Sequence, residues 1–198
     1  MKNAEISDLY SVSLEIVIDD DPEKSHPRKD YDNLGTILYT SSRYILGDKR
    51  VSGEEIEEIV NDPEMISLPV YAYIHGGIAL SCGSFGCQWD SGQCGIIYIS
   101  RERAREELGE KPTEFLHNLL ESEIKTFGQY LSGEVYGYVV TRGDGEQLDS
   151  CFGYYGREDA ETDGKSTLAY WAKKLSEERD TAIAEELAER NTTQASAV

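Results

Sequence analysis

Hydrophobic and polar residues alternate near the start of the chain. Every second residue from Val12 to Ile18 is aliphatic, with Ser13 and Glu15 between them. This period of two predicts a strand with one buried face over residues 11–19. Four more segments have strand character, the last two forming a hairpin around Gly143-Asp144-Gly145. We expect all five strands to share one sheet: 11–19, 68–75, 95–99, 135–141 and 147–154.

Three internal segments have helical patterns. Ser52 with Glu55 three residues later has the spacing of a capping box and predicts a helix over 52–60. A second helix, 101–108, lies between Ser100 and Gly109. The longest internal helix covers 113–131, and Glu123 is the polar exception in its apolar stripe. We expect this helix to pack on the sheet through Leu116, Leu119, Leu120, Ile124 and Phe127.

The order of these elements lacks the regular strand–helix alternation of a doubly wound fold. It predicts an α+β fold with a single, mainly antiparallel sheet of about five strands and helices packed on it. Residues 1–156 are expected to form this core domain, and 157–164 an acidic linker without large hydrophobic residues. Residues 165–190 are rich in Ala and Glu and predict a C-terminal acidic helix, and 191–198 a disordered tail.

The excess of acidic over basic residues narrows the classes of function that this protein can have. The 198 residues include 19 Lys and Arg against 38 Asp and Glu, a net charge of −19. Direct binding to nucleic acid or to an anionic membrane needs a basic surface and is therefore excluded. No apolar run reaches membrane-spanning length, and the N-terminus lacks a secretory signal. Acidic residues cluster twice and either solvate the surface or bind a basic partner: Glu54, Glu55, Glu57, Glu58 and Asp62, then Glu177, Glu178, Glu185 and Glu186.

Cysteine chemistry offers one enzymatic alternative. The four cysteines, at 82, 87, 94 and 151, do not match the C-x2-C spacing of a zinc half-site, so we expect no metal, cofactor or disulfide. The segment from Cys82 to Trp89 loosely resembles the surroundings of a papain-type nucleophile, and His75 precedes it. A cysteine hydrolase is the least favoured alternative because two extra residues break that pattern. We expect no catalytic residues.

The loop after Cys87 offers a second alternative. Asp90, Ser91 and Gly92 suit a tight turn, with Trp89 covering the edge of the core. The same loop also suits a ligand site in which Trp89 stacks and Asp90 or Gln93 forms hydrogen bonds. This alternative makes the protein a binding module, a sponge for a small ligand or signalling nucleotide. The scarcity of basic residues counts against a phosphate-bearing ligand.

Five motifs stand out along the chain: Asp30-Tyr31-Asp32-Asn33-Leu34-Gly35, Tyr44-Ile45-Leu46-Gly47-Asp48, Leu68-Pro69-Val70-Tyr71, Trp89-Asp90-Ser91-Gly92-Gln93 and Asp149-Ser150-Cys151-Phe152-Gly153-Tyr154-Tyr155-Gly156. Together they resemble a family of small proteins encoded by bacteriophages, archaeal viruses and other mobile elements. The resemblance covers roughly residues 28–156, with Cys94 where the family usually has Val and Phe152 where it has Trp.

The resemblance implies a viral or mobile-element origin and no particular activity, so no site residue is transferred from it. Small acidic accessory proteins from that source often oppose host restriction or CRISPR immunity. We therefore predict a non-enzymatic inhibitor in the host cytoplasm. It would bind the basic nucleic-acid-binding groove of a host defence nuclease as a DNA mimic, through the two acidic clusters.

Overall fold

The computed structural model describes residues 10–87 and 89–195. The described chain is mixed α+β, and a short 3-10 turn at Pro22–Ser25 follows its first strand. The strands are β1 (Val12–Ile18), β2 (Thr36–Tyr39), β3 (Lys49–Arg50), β4 (Met65–Ile74), β5 (Ile78–Ser81), β6 (Ser91–Ser100), β7 (Val135–Arg142) and β8 (Gln147–Tyr155). The helices are α1 (Gly53–Asn61), α2 (Arg101–Leu108), α3 (Thr113–Ser132) and α4 (Arg157–Ala195).

The strands form two sheets, so the prediction of a single sheet is wrong. One sheet has three strands in the order β1-β7-β8, and the other has five in the order β3-β2-β6-β4-β5. Every pairing is antiparallel except the short parallel contact of β2 with β3. The five expected strands all exist, but their hydrophobic patterns carry no information about partners. β1 pairs with β7 more than 100 residues later, a choice that only tertiary packing makes.

The chain also divides into two compact units in place of one core domain over 1–156. One unit holds the described residues up to Asp20 together with those from Val135 onward, and the other is Asp21–Glu134. The first contains the three-stranded sheet and α4, and the second contains the five-stranded sheet and α1–α3.

In the unit Asp21–Glu134, helix α3 packs on the sheet as predicted. Leu116, Leu120, Ile124 and Phe127 are buried, and Leu119 lies half-buried against the same core. Across from them β2, β4 and β6 contribute fully buried side chains from the centre of the sheet. These are Ile37, Val70 and Ile97.

The two shorter helices of this unit begin at the predicted caps. The Ser52 hydroxyl accepts a hydrogen bond from Glu55 N, and the Glu55 carboxylate accepts one from Ser52 N at 2.9 Å, which completes the capping box of α1. The Ser100 hydroxyl caps the start of α2, and Gly109, with a positive φ of 72°, caps its end after Leu108.

In the other unit, α4 lies against the three-stranded sheet. A Cβ at Gly164 would stand 2.8 Å from Leu14 Cδ1 and 3.1 Å from Tyr138 Cβ, so only glycine permits this close approach of the helix to β1 and β7. One turn further on, the Tyr138 hydroxyl and the Thr167 hydroxyl are 3.1 Å apart. The helix is therefore held by both close packing and hydrogen bonding.

Helix α4 corrects the predicted linker and tail. Residues 157–164 belong to its first turns, because Glu158 and Asp159 favour a helix N-terminus and the fully buried Ala160 anchors it. A contact surface of small residues does not need the large hydrophobic side chains whose absence predicted a linker. Residues 191–195 are helical, and 196–198 lie outside the described part. Each described helix is too short or too polar to span a lipid bilayer.

Candidate functional site

The first acidic cluster lies on α1, and two of its members serve the helix itself. Besides its role in the capping box, Glu55 lies 3.9 Å from Lys49 Nζ. The Asp62 side chain accepts a hydrogen bond from Glu64 N at the other end of the helix. Glu54, Glu57 and Glu58 are exposed. Hydrogen bonds from its own backbone amide and from Ser52 hold the pKa of Glu54 below its usual value.

The second acidic cluster lies on the half of α4 that follows its last described buried residue, Leu175. Glu177, Glu178, Glu185 and Glu186 are all exposed there. The one arginine in this half with a described side chain, Arg179, bonds to Asp180 at 3.0 Å and to the Ser176 hydroxyl at 3.2 Å. The neighbouring Asp180 thus engages that guanidinium.

The Trp89 loop is an exposed turn, and the ligand site predicted there stays a prediction. The Trp89 side chain is 96% exposed, so it neither covers the edge of the core nor lines a cavity. The Gln93 amide is engaged locally, donating to Gly95 O at 3.3 Å. Asp90 holds the loop together, since its carboxylate lies 3.3 Å from His75 Nδ1 and its carbonyl accepts from Ile74 N.

Aromatic side chains lie near this loop on the same end of the sheet. The ring centroids of Tyr73 and Phe85 are 5.8 Å apart, and those of Tyr73 and His75 are 6.2 Å apart. The Ser91 hydroxyl donates to Cys87 O and closes the turn. The result is a braced loop that carries an exposed indole at its tip.

The cysteines do not form the nucleophile–histidine pair that a cysteine hydrolase requires. Burial and the neighbouring Glu121 raise the pKa of the Cys82 thiol to about 11. The Cys87 thiol contacts the Asp90 carboxylate at 3.9 Å, and His75 contacts the same carboxylate. A reactive cysteine needs a lowered thiol pKa beside a cationic partner. The geometry therefore does not favour the hydrolase alternative.

A charged network that the sequence analysis missed lies in the unit Asp21–Glu134. The Arg28 side chain is only 5% exposed. Its guanidinium donates to Asp48 twice, at 3.0 and 2.6 Å, to Glu123 Oε2 at 2.7 Å and to Gly35 O at 2.7 Å. Burial alone would lower the pKa of Arg28, but the hydrogen bonds to Asp48 and Glu123 outweigh it and raise that pKa.

The two carboxylates of this network also bind the backbone. Glu123 Oε1 accepts from Leu34 N at 2.9 Å and from Gly35 N at 3.2 Å, and Asp48 Oδ2 accepts from Ile37 N at 2.7 Å. Glu123, the polar exception in the stripe of α3, therefore anchors the start of β2. Two of the motifs behind the family resemblance, Leu34-Gly35 and Asp48, serve this structural network.

The motif in β8 is structural as well. The Trp171 indole of α4 donates to Asp149 Oδ2 at 3.2 Å, and the Tyr154 hydroxyl donates to Asp163 Oδ2 at 3.0 Å. Burial, followed by contacts with Cys151 and Asp163, raises the pKa of Tyr154. This motif holds α4 on the sheet, although α4 lies outside the segment that the resemblance covers.

Comparisons of the chain with protein-family models, curated proteins and solved structures found no match. The resemblance to mobile-element proteins therefore stays a prediction.

Proposed function

We propose that this chain inhibits a host defence nuclease by presenting carboxylates to the basic groove in which the nuclease binds nucleic acid. The observation that carries the proposal is the exposed acidic cluster on the second half of α4. Helix α1 is the second contact surface, and it is weaker because Glu55 and Asp62 are engaged in its caps.

The charge density of α4 suits a decoy, that is, a protein surface that takes the place of nucleic acid in the basic groove. Residues 177–188 hold five carboxylates and one guanidinium, a net charge of −4. Twelve helical residues span about 18 Å, so one net charge falls every ~4.5 Å. Phosphates follow one another every ~3.4 Å along one strand of duplex DNA. The helix therefore offers a basic groove a charge density of the same order as its natural ligand.

The free energy of such a contact is distributed over many residues. Single exposed ion pairs contribute roughly 0–1 kcal/mol, and salt screens them. A decoy of this kind loses activity only when several carboxylates change together, and it weakens as ionic strength rises.

A phage challenge assay tests the proposal. The chain is expressed in bacterial strains that each carry one restriction or CRISPR system, and plaques of a targeted phage are counted. We expect plaque numbers to rise at least a hundredfold in one strain. Reversal of Glu177, Glu178, Glu185 and Glu186 to Lys should abolish this effect. The matched control reverses four exposed acids of the other unit: Glu102, Glu106, Glu107 and Glu114.

Competition with purified components locates the contact. The affected nuclease is bound to a fluorescent duplex, and fluorescence polarisation follows displacement of the duplex by the chain. The wild-type chain should displace it at 50 mM NaCl and at least tenfold less effectively at 300 mM. Inhibition that survives both the α4 reversal and the equivalent reversal of Glu54, Glu55, Glu57 and Glu58 would contradict the decoy mechanism and leave the acids as a solvating surface.

The exposed indole supports a second candidate, recognition through the Trp89 loop. Trp and Tyr are over-represented among residues that dominate binding energy at interfaces. If Trp89→Ala or Asp90→Ala abolishes inhibition while the charge reversals do not, the chain acts through this loop. A chain ending at Asp180 adds a further check, because it keeps the buried Leu175 and removes much of the acidic half of α4.

A further inference from the structure

Strand β1 is an open edge of the three-stranded sheet. It stands first in the order β1-β7-β8, and its ladder runs to β7 alone. None of its seven residues is buried, whereas four of the eight residues of β7 are. Helix α4 meets the strand on one face, where Gly164 lies against the Leu14 side chain. At the end of the strand the Ile18 side chain is 63% exposed. The helix therefore covers a face of β1 and not its edge.

The backbone groups along this edge are unpaired. Just beyond the two ends of the ladder, Asp19 N donates to Val135 O, and Ser11 O accepts from Gly143 N. In an antiparallel pair such bonds fall on every second residue, so the odd-numbered residues of β1 bond to β7. The N–H and C=O groups of the even-numbered residues point away from the sheet and have no hydrogen-bond partner among the described residues. These residues are Val12, Leu14, Ile16 and Ile18.

The two edges of this sheet differ in construction. On the other edge, β8 bulges twice where its register with β7 shifts, at Leu148 and at Gly153, the latter with a φ of 86°. Bulges hinder the addition of a further strand. Strand β1 pairs without a register shift, contains neither proline nor lysine, and has a single charged residue, Glu15. The sheet is therefore protected on one edge and can accept a strand on the other.

We propose that β1 pairs with β1 of a second copy of this chain, antiparallel and about a two-fold axis, so that two three-stranded sheets become one sheet of six strands. An isologous contact of this kind requires an edge that is complementary to itself. The four even-numbered side chains of β1 are all aliphatic, so every cross-strand pair on the face that α4 covers is apolar.

The charge of Glu15 and the exposure of Ile18 select the register. An axis at Glu15 would place two carboxylates directly opposite each other, which destabilises a strand pair. An axis at Ile16 places Glu15 opposite Val17 of the second copy and separates the two carboxylates by about 7–8 Å. It also covers Ile18 with Leu14 of the second copy, whereas an axis at Leu14 leaves Ile18 beyond the end of the added strand. The structure therefore favours the axis at Ile16.

Area and net charge make this a weak dimer. Two paired seven-residue strands bury less than the ~1,200 Å² at which stable interfaces begin. Two copies that each carry a net charge of −19 also repel each other. We expect a Kd of about 10–100 μM. The dimer should strengthen as ionic strength rises because salt screens the repulsion, whereas association through ion pairs would weaken.

Sedimentation equilibrium of the full chain between 5 and 500 μM tests the proposal. The average mass should rise from that of the monomer toward that of the dimer, and at lower concentrations in 500 mM than in 50 mM NaCl. A mixture of ¹³C-labelled and unlabelled chain reports the register. We expect an intermolecular NOE between the α protons of Glu15 and Val17, which face each other in a pair without hydrogen bonds. A monomer mass at every concentration would overturn the proposal and leave the edge to a different protein.

One variant removes the contact without touching the ladder inside the chain. The Ile16 N–H points outward, so Ile16→Pro deletes no hydrogen bond to β7 and should abolish the dimer. Circular dichroism checks that this variant is folded. A dimer that persists in the folded variant would contradict the proposal, and if the variant does not fold, the following pair decides.

A charge-matched pair of variants locates the interface. Val17→Lys places an ammonium group opposite Glu15 of the second copy at both symmetric positions, and it should tighten the dimer at least fivefold. Gln147→Lys makes the same change in net charge at an exposed position on the bulged strand β8 and should alter the Kd less than twofold. Equal effects of the two variants would place the interface away from β1 and overturn the proposal.

Discussion

At the scale of single residues, the Arg28 network shows how a charge is kept inside a small core. The guanidinium has four hydrogen bonds to two carboxylates and one carbonyl, and those carboxylates accept from three backbone amides. Each group thus has partners that replace water. A buried pair with satisfied partners is costly to break from one side, because the remaining charge loses its compensation.

Glu123→Ala should therefore lower the free energy of unfolding by about 3 kcal/mol. The substitution removes one of the two carboxylates that bind Arg28, and with it the acceptor for Leu34 N and Gly35 N. Equilibrium unfolding in urea measures the change. Glu121→Ala, two residues away at an exposed position, should change it by less than about 0.5 kcal/mol. Similar losses in the two variants would show that the network does not stabilise the fold.

The cysteines should differ in their alkylation rates at pH 8. Burial raises the pKa of the Cys94 thiol to about 11, as burial and Glu121 do for Cys82. Since the thiolate is the reactive form, both should react far more slowly than the exposed Cys151. Iodoacetamide labelling followed by peptide mass spectrometry measures the three rates. Equal rates at pH 8 in the folded chain would contradict these raised pKa values.

The raised pKa values of Cys82 and Cys94 also make the stability of the fold depend on pH. A thiol that holds its proton more tightly in the folded state contributes stability below its unfolded pKa, near 8.5, and loses it as pH rises toward 11. Alkaline solution should therefore destabilise the chain, and labelling is best compared below pH 9.

At the scale of elements, α4 combines two roles along one helix. Its first half packs on the three-stranded sheet through Ala160, Gly164 and Leu175, and its second half is exposed and acidic. Isolated helices are marginal in water, so the packed half nucleates the exposed half. The proposed decoy surface therefore depends on contacts made earlier in the same helix.

The bond between Trp171 and Asp149 is expected to contribute to this docking. Trp171→Phe keeps an aromatic ring but removes the N–H donor, and it should cost about 1 kcal/mol of stability. Asp149→Ala should cost a similar amount, and the double variant should cost less than the sum. Thermal unfolding of the three variants measures this coupling. Tyr170→Phe, at a side chain 61% exposed, is the control, and full additivity would show that the two groups do not interact.

At the scale of the whole molecule, the net charge of −19 causes net electrostatic repulsion within the chain. Like charges repel more in the compact state than in the unfolded chain, and salt screens this repulsion. The acids of the described residues lie mostly at the surface.

Stability should therefore rise with ionic strength. We expect the Tm to increase between 20 and 200 mM NaCl, because screening of the net repulsion outweighs the weakening of individual ion pairs. The variant with Glu177, Glu178, Glu185 and Glu186 reversed to Lys has a net charge of −11 and should show a smaller increase. A Tm that falls with salt in both proteins would indicate that attractive pairs dominate.

Local information in the sequence determined most of the elements of this protein. Three patterns depend on residues within a few positions of one another: the alternation in β1, the capping box of α1 and the apolar stripe of α3. They can therefore be predicted without knowledge of the fold. The first eight residues of α4 are the exception. Their small residues suit a close helix–sheet contact, a property that appears only once β1 and β7 lie beside them.

The tertiary structure alone decided which strands pair and what the motifs do. β1 joins β7 and not the strands nearer to it in sequence, because pairing depends on the side chains that meet across the whole unit. Gly35 and Asp48 stand out in the sequence, yet their role requires Arg28 and Glu123, the latter 75–88 residues away. A groove of about 550 Å³ between β5 and α3 likewise exists only where the strand and the helix come together, since neither segment alone encloses a space.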